Sequence, residues 1–205
     1  ITAHVQECLT VNPKVRSGGR TAGFRMAHGL PQYLWACPSC FALGSMKVSA
    51  RGGSWIRCAA CQGEWAVDVE SVLTSSSSGE RMTVAEAFHG IDHHFGVRPV
   101  ADRARYDDTG VVLHSEHGQI QRVTKGEKTM TTEGEGRIEL RPDGLRIVAN
   151  DEVVWSVDMA DIKSISVEMA NLLHFRVHGV LYRVTVPGDS PLKWDHFLRR
   201  WQGAA

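Results

Sequence analysis

The sequence predicts a mainly β protein: a small cysteine-stapled ribbon followed by an antiparallel β-barrel that a C-terminal α-helix closes. Three observations carry this reading. Two Cys-x-x-Cys pairs, Cys37/Cys40 and Cys58/Cys61, stand seventeen residues apart. From about Thr109 onward, short runs that alternate apolar and polar residues recur between turn-forming residues. Finally, Trp194, Phe197, Leu198 and Trp201 fall at i, i+3, i+4 and i+7, the spacing of one helical face.

The cysteines come first because they constrain most. A two-residue gap lets both thiolates of a pair enter one tetrahedral shell, and seventeen residues suffice for a hairpin that brings the second pair opposite the first. Four thiolates suit zinc and leave no open coordination position, so Cys37, Cys40, Cys58 and Cys61 are expected to hold a structural Zn2+. Redox-active or disulfide-linked cysteines are the alternative for this spacing. The residue following the second thiolate of such a knuckle is often glycine; here Phe41 and Gln62 stand there.

Composition bounds the remainder. At 205 residues the chain exceeds a ribbon alone, so a second compact domain is expected. Lys and Arg number 23 and Asp and Glu 23, so no global basic field recruits nucleic acid, and no nucleic-acid partner is expected. Cys8 stands apart from the two pairs. Four paired cysteines and one spare fit a reducing compartment, and a cytoplasmic location is expected. No run of about 18 apolar residues and no signal-peptide pattern occurs. The chain opens at Ile1 rather than Met, which reads as a piece of a longer protein.

Residues 1–30 read as an irregular connector from an upstream domain. The Gly-rich stretch at residues 17–23 is not followed by Gly-Lys-Ser/Thr and is no phosphate-binding loop. Residues 31–74 form the expected ribbon. Tyr33 and Trp35 alternate like a short strand before the first knuckle. Residues 46–48 and 55–57 flank a turn at residues 51–54, and residues 65–69 supply a third strand. So small a module needs its metal to fold.

Residues 75–108 read as a linker with a short helix. Ser75-Ser76-Ser77-Ser78-Gly79 is expected to be flexible and to separate two independent cores, so that a fragment from Met82 onward should fold without the ribbon. Thr83 and Glu86 make a capping box, and Val84, Ala87, Phe88 and Ile91 form a buried stripe. His89 and His93 share that helix's surface with His94 alongside. Without a third ligand or a His-Glu-x-x-His arrangement they read as surface histidines.

Residues 109–205 form the expected barrel. Residues 111–113 and 120–123 are early strands; residues 137–140 and 145–148 flank the Pro142-Asp143-Gly144 turn. Asn150-Asp151 turns into residues 153–157, residues 162–167 follow, and residues 173–177 pair with 182–186 across His178-Gly179. Ser190 is an N-cap with Pro191 at the first helical position. Six or seven antiparallel strands closed by one C-terminal helix is the layout of a PH-like or GRAM-like barrel.

The stretch Pro31-Gln32-Tyr33-Leu34-Trp35-Ala36-Cys37-Pro38-Ser39-Cys40, then Cys58-Ala59-Ala60-Cys61-Gln62-Gly63-Glu64-Trp65, resembles the ribbon in the C-terminal extension of bacterial lysophospholipid acyltransferases, the 1-acyl-glycerol-3-phosphate acyltransferase family. The Thr83-Val84-Ala85-Glu86 helix start, Gly134-Glu135-Gly136-Arg137-Ile138-Glu139-Leu140, Gly179-Val180-Leu181-Tyr182 and Lys193-Trp194 follow in matching order. The resemblance implies a non-catalytic accessory region of a membrane-associated enzyme that transfers an acyl group from a thioester to a lysophospholipid. Such enzymes use a His-x-x-x-x-Asp motif, in which the histidine is a general base. None of the ten histidines here has Asp five residues later, so the catalytic domain would lie upstream of Ile1 and would be a partner of this region. No Gly-x-Ser-x-Gly nucleophile is present either.

An anionic membrane surface is the second expected partner, with Arg122, Lys125 and Lys128 as the contacts beside an early barrel turn; a solvated polar hairpin is the competing reading. Peripheral attachment to the inner face of the membrane would follow. The alternative function is a stand-alone zinc-ribbon binding module for protein or nucleic acid, with Arg51, Arg57 and Trp55 supplying charge and stacking.

Overall fold

The computed structural model describes residues 26–97, 110–124, 129–168 and 172–202. The protein is mainly β, with two antiparallel sheets and a C-terminal helix, as the alternating patterns predicted. The first sheet has five strands in chain order: β1 Met46–Val48, β2 Trp55–Cys58, β3 Glu64–Val67, β4 Val72–Ser75 and β5 Arg81–Thr83. A single helical turn, α1 Leu30–Tyr33, precedes it, and α2 Val84–Val97 follows. The second sheet holds β6 Leu113–Val123, β7 Met130–Arg141, β8 Gly144–Ala149, β9 Glu152–Asp158, β10 Ile162–Glu168, β11 Leu172–Val177 and β12 Val180–Thr185. Its order is β10-β11-β12-β6-β7-β8-β9. The chain then enters α3, Pro191–Gln202.

Helix α3 forms as its spacing predicts. Trp194, Phe197, Leu198 and Trp201 are all buried on the face turned to the sheet, and the Lys193 N–H donates to Ser190 Oγ at 3.4 Å. The capping box on α2 is complete: the Glu86 N–H donates to Thr83 Oγ1 (3.1 Å) and the Thr83 N–H to Glu86 Oε2 (2.6 Å).

Five expectations need correction. The segment before the first knuckle is the turn α1 rather than a strand, because Pro31 at its start presets a helical φ. The two early barrel strands are one long strand, β6, whose pairing with β7 shifts register between Ser115 and Gly118. Gly136 lies opposite Gly118 at φ 155°, and a Cβ there would sit 2.3 Å from the Val148 carbonyl oxygen. The sheet therefore bends where two glycines let its strands approach.

The serine run is not a linker. Val72, Leu73 and Thr74 of β4 pair with Thr83, Met82 and Arg81 of β5, and residues 76–79 are the hairpin turn between them, with Gly79 at φ 70°. Nor is the second sheet closed into a barrel by hydrogen bonds: β9 and β10 are its two edges. Side chains from α3 occupy the β10 edge instead, Arg199 Nη2 donating to the Ile165 carbonyl and Gln202 Nε2 to that of Ile162.

The two sheets share one apolar cluster rather than two independent cores. It runs from Trp35, Ile56 and Leu73 through Ile91 to Phe197, Leu198 and the inward residues of β6 to β8. Trp35 is the joint. Its ring centroid lies 5.0 Å from Phe95 of α2, 5.0 Å from His196 and 6.0 Å from Phe197 of α3. Polar contacts cross the same seam: the Ser190 hydroxyl donates to the Gln32 carbonyl, Arg200 Nη1 to that of Gly96 (2.7 Å), and His196 Nδ1 meets Asp92 Oδ1 at 2.7 Å.

Candidate metal centre

Each knuckle is a tight turn built from the same hydrogen bonds. The Phe41 N–H donates to the Cys37 carbonyl (2.9 Å) and the Cys37 N–H to that of Ala42 (3.1 Å); the Gln62 N–H donates to the Cys58 carbonyl (3.0 Å) and the Cys58 N–H to that of Gly63 (2.9 Å). Phe41 and Gln62 take φ values of 58° and 62°, the left-handed backbone that glycine usually supplies. A non-glycine residue pays roughly 1–2 kcal/mol for that conformation. Phe41 recovers part of it by stacking on His94 of α2, the rings 3.7 Å apart and nearly parallel.

Backbone N–H groups point at the sulfurs. Those of Ser39 and Cys40 approach Cys37 Sγ at 3.4 Å, and that of Cys61 approaches Cys58 Sγ at 3.4 Å. Such donors stabilise sulfur as thiolate. Cys37 Sγ lies 3.8 Å from Cys61 Sγ, and Cys40 Sγ 3.7 Å from Cys58 Sγ, with all four sulfurs within 4.8 Å of one another. A tetrahedron of sulfurs bound at about 2.3 Å to a central ion has edges of about 3.8 Å. The two separations match that edge and nearly double the ~2.05 Å of a disulfide bond. The four cysteines are free, so the disulfide alternative is not what the fold builds. They can hold a metal ion, and they are the one such cluster of three or more ligands among the described residues.

Their titration reflects the crowding. Burial pushes the Cys37 thiol well above its ordinary range. Cys61 is also raised: the Gly63 N–H, its strongest single influence, lowers it, but desolvation and the sulfurs of Cys40 and Cys58 together prevail. Burial would raise Cys58 too, but the Ser45 hydroxyl at 3.2 Å and the backbone N–H groups of Cys61 and Ala60 bring it down to about 6. Ser45 Oγ also lies 2.7 Å from the Ala42 carbonyl, so its one proton turns to that oxygen when Cys58 is a thiol and to the sulfur when Cys58 is a thiolate. A cation at the centre favours the deprotonated form of all four.

The other candidates fare differently. Cys8, Lys125 and Lys128 lie outside the described residues. Arg122 is on β6 and its Nε lies 2.8 Å from the Glu133 carboxylate, so its charge is already engaged. His89 and His93 are exposed on α2 and join no ligand cluster. Arg51 sits over the Trp55 ring at 5.3 Å and 3.5 Å from Glu64, and Arg57 donates to Gln62 Oε1, so this set is occupied within the ribbon. Sequence reasoning missed Ser45, Phe41 and His94 as supports of the cluster. For Ser45 and Phe41 the only signal was nearness to the first knuckle; His94, 33 residues beyond Cys61, gave none.

No family model matches the sequence, and no curated protein is similar to it. Among solved structures, a match is the crystal structure of the N-terminally truncated linker-DH/PH domains of p115-RhoGEF, 13% identical, with a TM-score of 0.34. That match covers 60% of this chain and 46% of the other, so this chain spans less than half the length of that protein. Among the described residues no helix is long and apolar enough to cross a membrane.

Proposed function

We propose that this region is a non-catalytic accessory module, a zinc ribbon joined to a PH-like domain, belonging to a membrane-associated lysophospholipid acyltransferase whose catalytic domain lies upstream. One observation carries the non-catalytic half of this reading. The four thiolates fill a tetrahedron and lock onto the aromatic layer through Phe41 and Trp35, which is the arrangement of a staple. Zinc bound there would supply folding free energy, and Cys37, Cys40, Cys58 and Cys61 would fill every coordination position. The acyltransferase half rests on the ordered sequence phrases from Pro31 to Trp194 and on the absence of any His-x-x-x-x-Asp in the chain.

In this reading the module positions the enzyme. The ribbon and helix α2 form a rigid stalk, and the second sheet faces the catalytic domain or lipid headgroups. Acyl transfer to a hydroxyl needs a base within hydrogen-bond reach of it, and that base would come from the upstream histidine. Purified residues 1–205 should contain one zinc per chain by elemental analysis and should transfer no acyl group from a thioester to lysophosphatidate. The complete reading frame should transfer it, and substitution of the upstream histidine should abolish it. Transfer by 1–205 alone, or an upstream sequence without the motif, would sink the acyltransferase reading and leave the binding module.

A further inference from the structure

Strands β10 to β12 carry cations on the outer face of the second sheet that neither the metal centre nor the acyltransferase reading uses. Leu173, Phe175 and Val184 are buried in the core, so His174 and Arg176 on β11 and Arg183 on β12 point outward. Lys163 of β10 stands directly opposite Arg176, and Arg183 directly opposite His174. Arg176 pairs with Leu181, which places Arg183 diagonally beside it. Lys163, Arg176 and Arg183 thus form one contiguous patch. On β6 to β8 the pattern is different: Arg122, Arg137, Arg141 and Arg146 each meet a carboxylate. Among the described residues none of the three patch cations does. Arg176 Nη1 donates to the Gly179 carbonyl (3.0 Å), Arg183 Nη1 to Met130 Sδ (3.3 Å), and Lys163 is exposed. The carboxylates around them lie against other groups: Glu168 against His174 (3.7 Å), Asp161 against His178 (3.5 Å) and Glu135 against Gln119 (3.4 Å).

This arrangement costs the free protein stability. Like charges directly opposite on a sheet repel, and Lys163 with Arg176 is such a pair. Arg183 is half-buried and its Nε–H is buried without a hydrogen-bond partner, so its charge lacks the acceptor that burial demands. We propose that this face binds an extended acidic segment of a partner protein, with carboxylates at alternate positions. Alternate side chains of an extended chain stand roughly 6.6 Å apart on one side. Diagonal positions on paired strands are about 7–8 Å apart, so carboxylates at i and i+2 reach Arg176 and Arg183 together. Each guanidinium keeps several N–H donors beyond the one it uses, in a fork that matches a carboxylate. A flat bilayer would meet the exposed Lys163 and Arg176 but not the half-buried Arg183, whereas a single chain lying across the strands reaches all three. Strand addition at the β10 edge is not the mode, because Arg199 and Gln202 of α3 already occupy its carbonyls. The site stands independently of any acyl-transfer activity.

The test is fluorescence anisotropy of a labelled synthetic peptide alternating Glu and Ser, titrated with residues 1–205 at low salt. Saturable binding is expected, weakened by added salt and weakened about tenfold by Arg176→Gln or Arg183→Gln, since each removes a charge-assisted hydrogen bond. The peptide with Gln in place of Glu should not bind. Arg146→Gln, at an arginine already held by Asp143, should leave binding unchanged. Lys163→Gln should weaken binding yet raise the midpoint of thermal unfolding, because it relieves the repulsion with Arg176; a lowered midpoint would contradict the strained pair on which the site rests. Absence of saturable peptide binding overturns the proposal, and capture by phosphatidylserine-containing vesicles in its place would reassign the patch to a membrane. Binding that neither Arg176→Gln nor Arg183→Gln alters, or that Arg146→Gln weakens equally, overturns it as well.

Discussion

Replacing Trp35 by alanine tests whether the two sheets are one cooperative unit. The ring is 1% exposed and touches Phe95, His196 and Phe197, so the substitution removes the apolar surface that joins the ribbon to both helices. A buried tryptophan removes roughly 150–250 Å² from water. At about 25 cal/mol per Å² that amounts to some 4–6 kcal/mol as an upper bound. Large-to-small substitutions in cores cost about 3–5 kcal/mol once cavity relaxation is included. One offset is built in: the Trp35 indole N–H has no hydrogen-bond partner among the described residues, so its removal relieves about 1 kcal/mol of desolvation. The expected loss is therefore about 3 kcal/mol, a large part of the stability of a domain this size. Urea unfolding followed by tryptophan fluorescence and by far-UV circular dichroism should show one coincident transition, shifted to lower denaturant in the variant. Trp35→Phe should cost less than about 1.5 kcal/mol, because it keeps most of the apolar contact and deletes the orphan N–H. Two separated transitions in the parent protein, or a loss below about 1 kcal/mol for Trp35→Ala, would refute the shared core.

Other outcomes follow from the same geometry. Cys58→Ser should abolish zinc binding while Cys8→Ser leaves zinc content unchanged; equal loss in both would refute the four-cysteine assignment. Zinc affinity should fall as pH falls, because protons compete for the sulfurs. Cys37 and Cys61, with raised pKa values, must each release a proton on binding at neutral pH. Cys58, at about 6, is already a thiolate there, and only below that pH does it add to the competition. A competition titration with a chelator should accordingly steepen with acidity below pH 6, and a pH-independent affinity would contradict the thiolate assignment. In the metal-free protein the depressed Cys58 pKa adds stability that is full above the ordinary thiol pKa and is lost as pH falls through about 6. Gly136→Ala should destabilise by about 2–4 kcal/mol because its Cβ would strike the Val148 carbonyl. Gly79→Ala, with open space around it, should cost only about 1 kcal/mol from its φ of 70°; comparable losses at both sites would refute the close-approach account.

How much of this was legible in the sequence depends on the range of the interaction involved. Helix α3 was readable because four apolar residues at helical spacing and an N-cap serine are local signals, and each found the environment its pattern required. The capping box at Thr83 was readable for the same reason. The serine run was misread because a hairpin turn and a flexible connector have the same composition. What distinguishes them is whether Val72 and Leu73 find Thr83 and Met82 across the turn, a pairing no local rule reports. The glycine test of the knuckles was similarly incomplete: Phe41 and Gln62 adopt the left-handed backbone, a cost of about 1–2 kcal/mol each, which the hydrogen bonds of both turns and, at Phe41, the His94 stack offset.

The candidate sites divide along the same line. The cysteine cluster was legible because its ligands repeat at a fixed spacing within two short turns. The ion-paired cluster of Arg137, Glu139 and Arg141 was not, although these residues alternate with Ile138 and Leu140 and so lie on one face of β7. Alternation says which face a residue takes, not what stands beside it. Arg146 stands opposite Glu139 only because the β7–β8 register pairs those two residues, and His114 stands opposite it on the other side only because the register shift in β6 falls after Ser115. Sliding β8 by one residue would turn Arg146 toward the core and Leu145 to solvent. The burial of Leu145 and Ile147 against Ile138 and Leu140 forbids that slide. The apolar side of the sheet thus fixes the register, and the register assembles the charges on the opposite side: the core residues determine where the arginines meet.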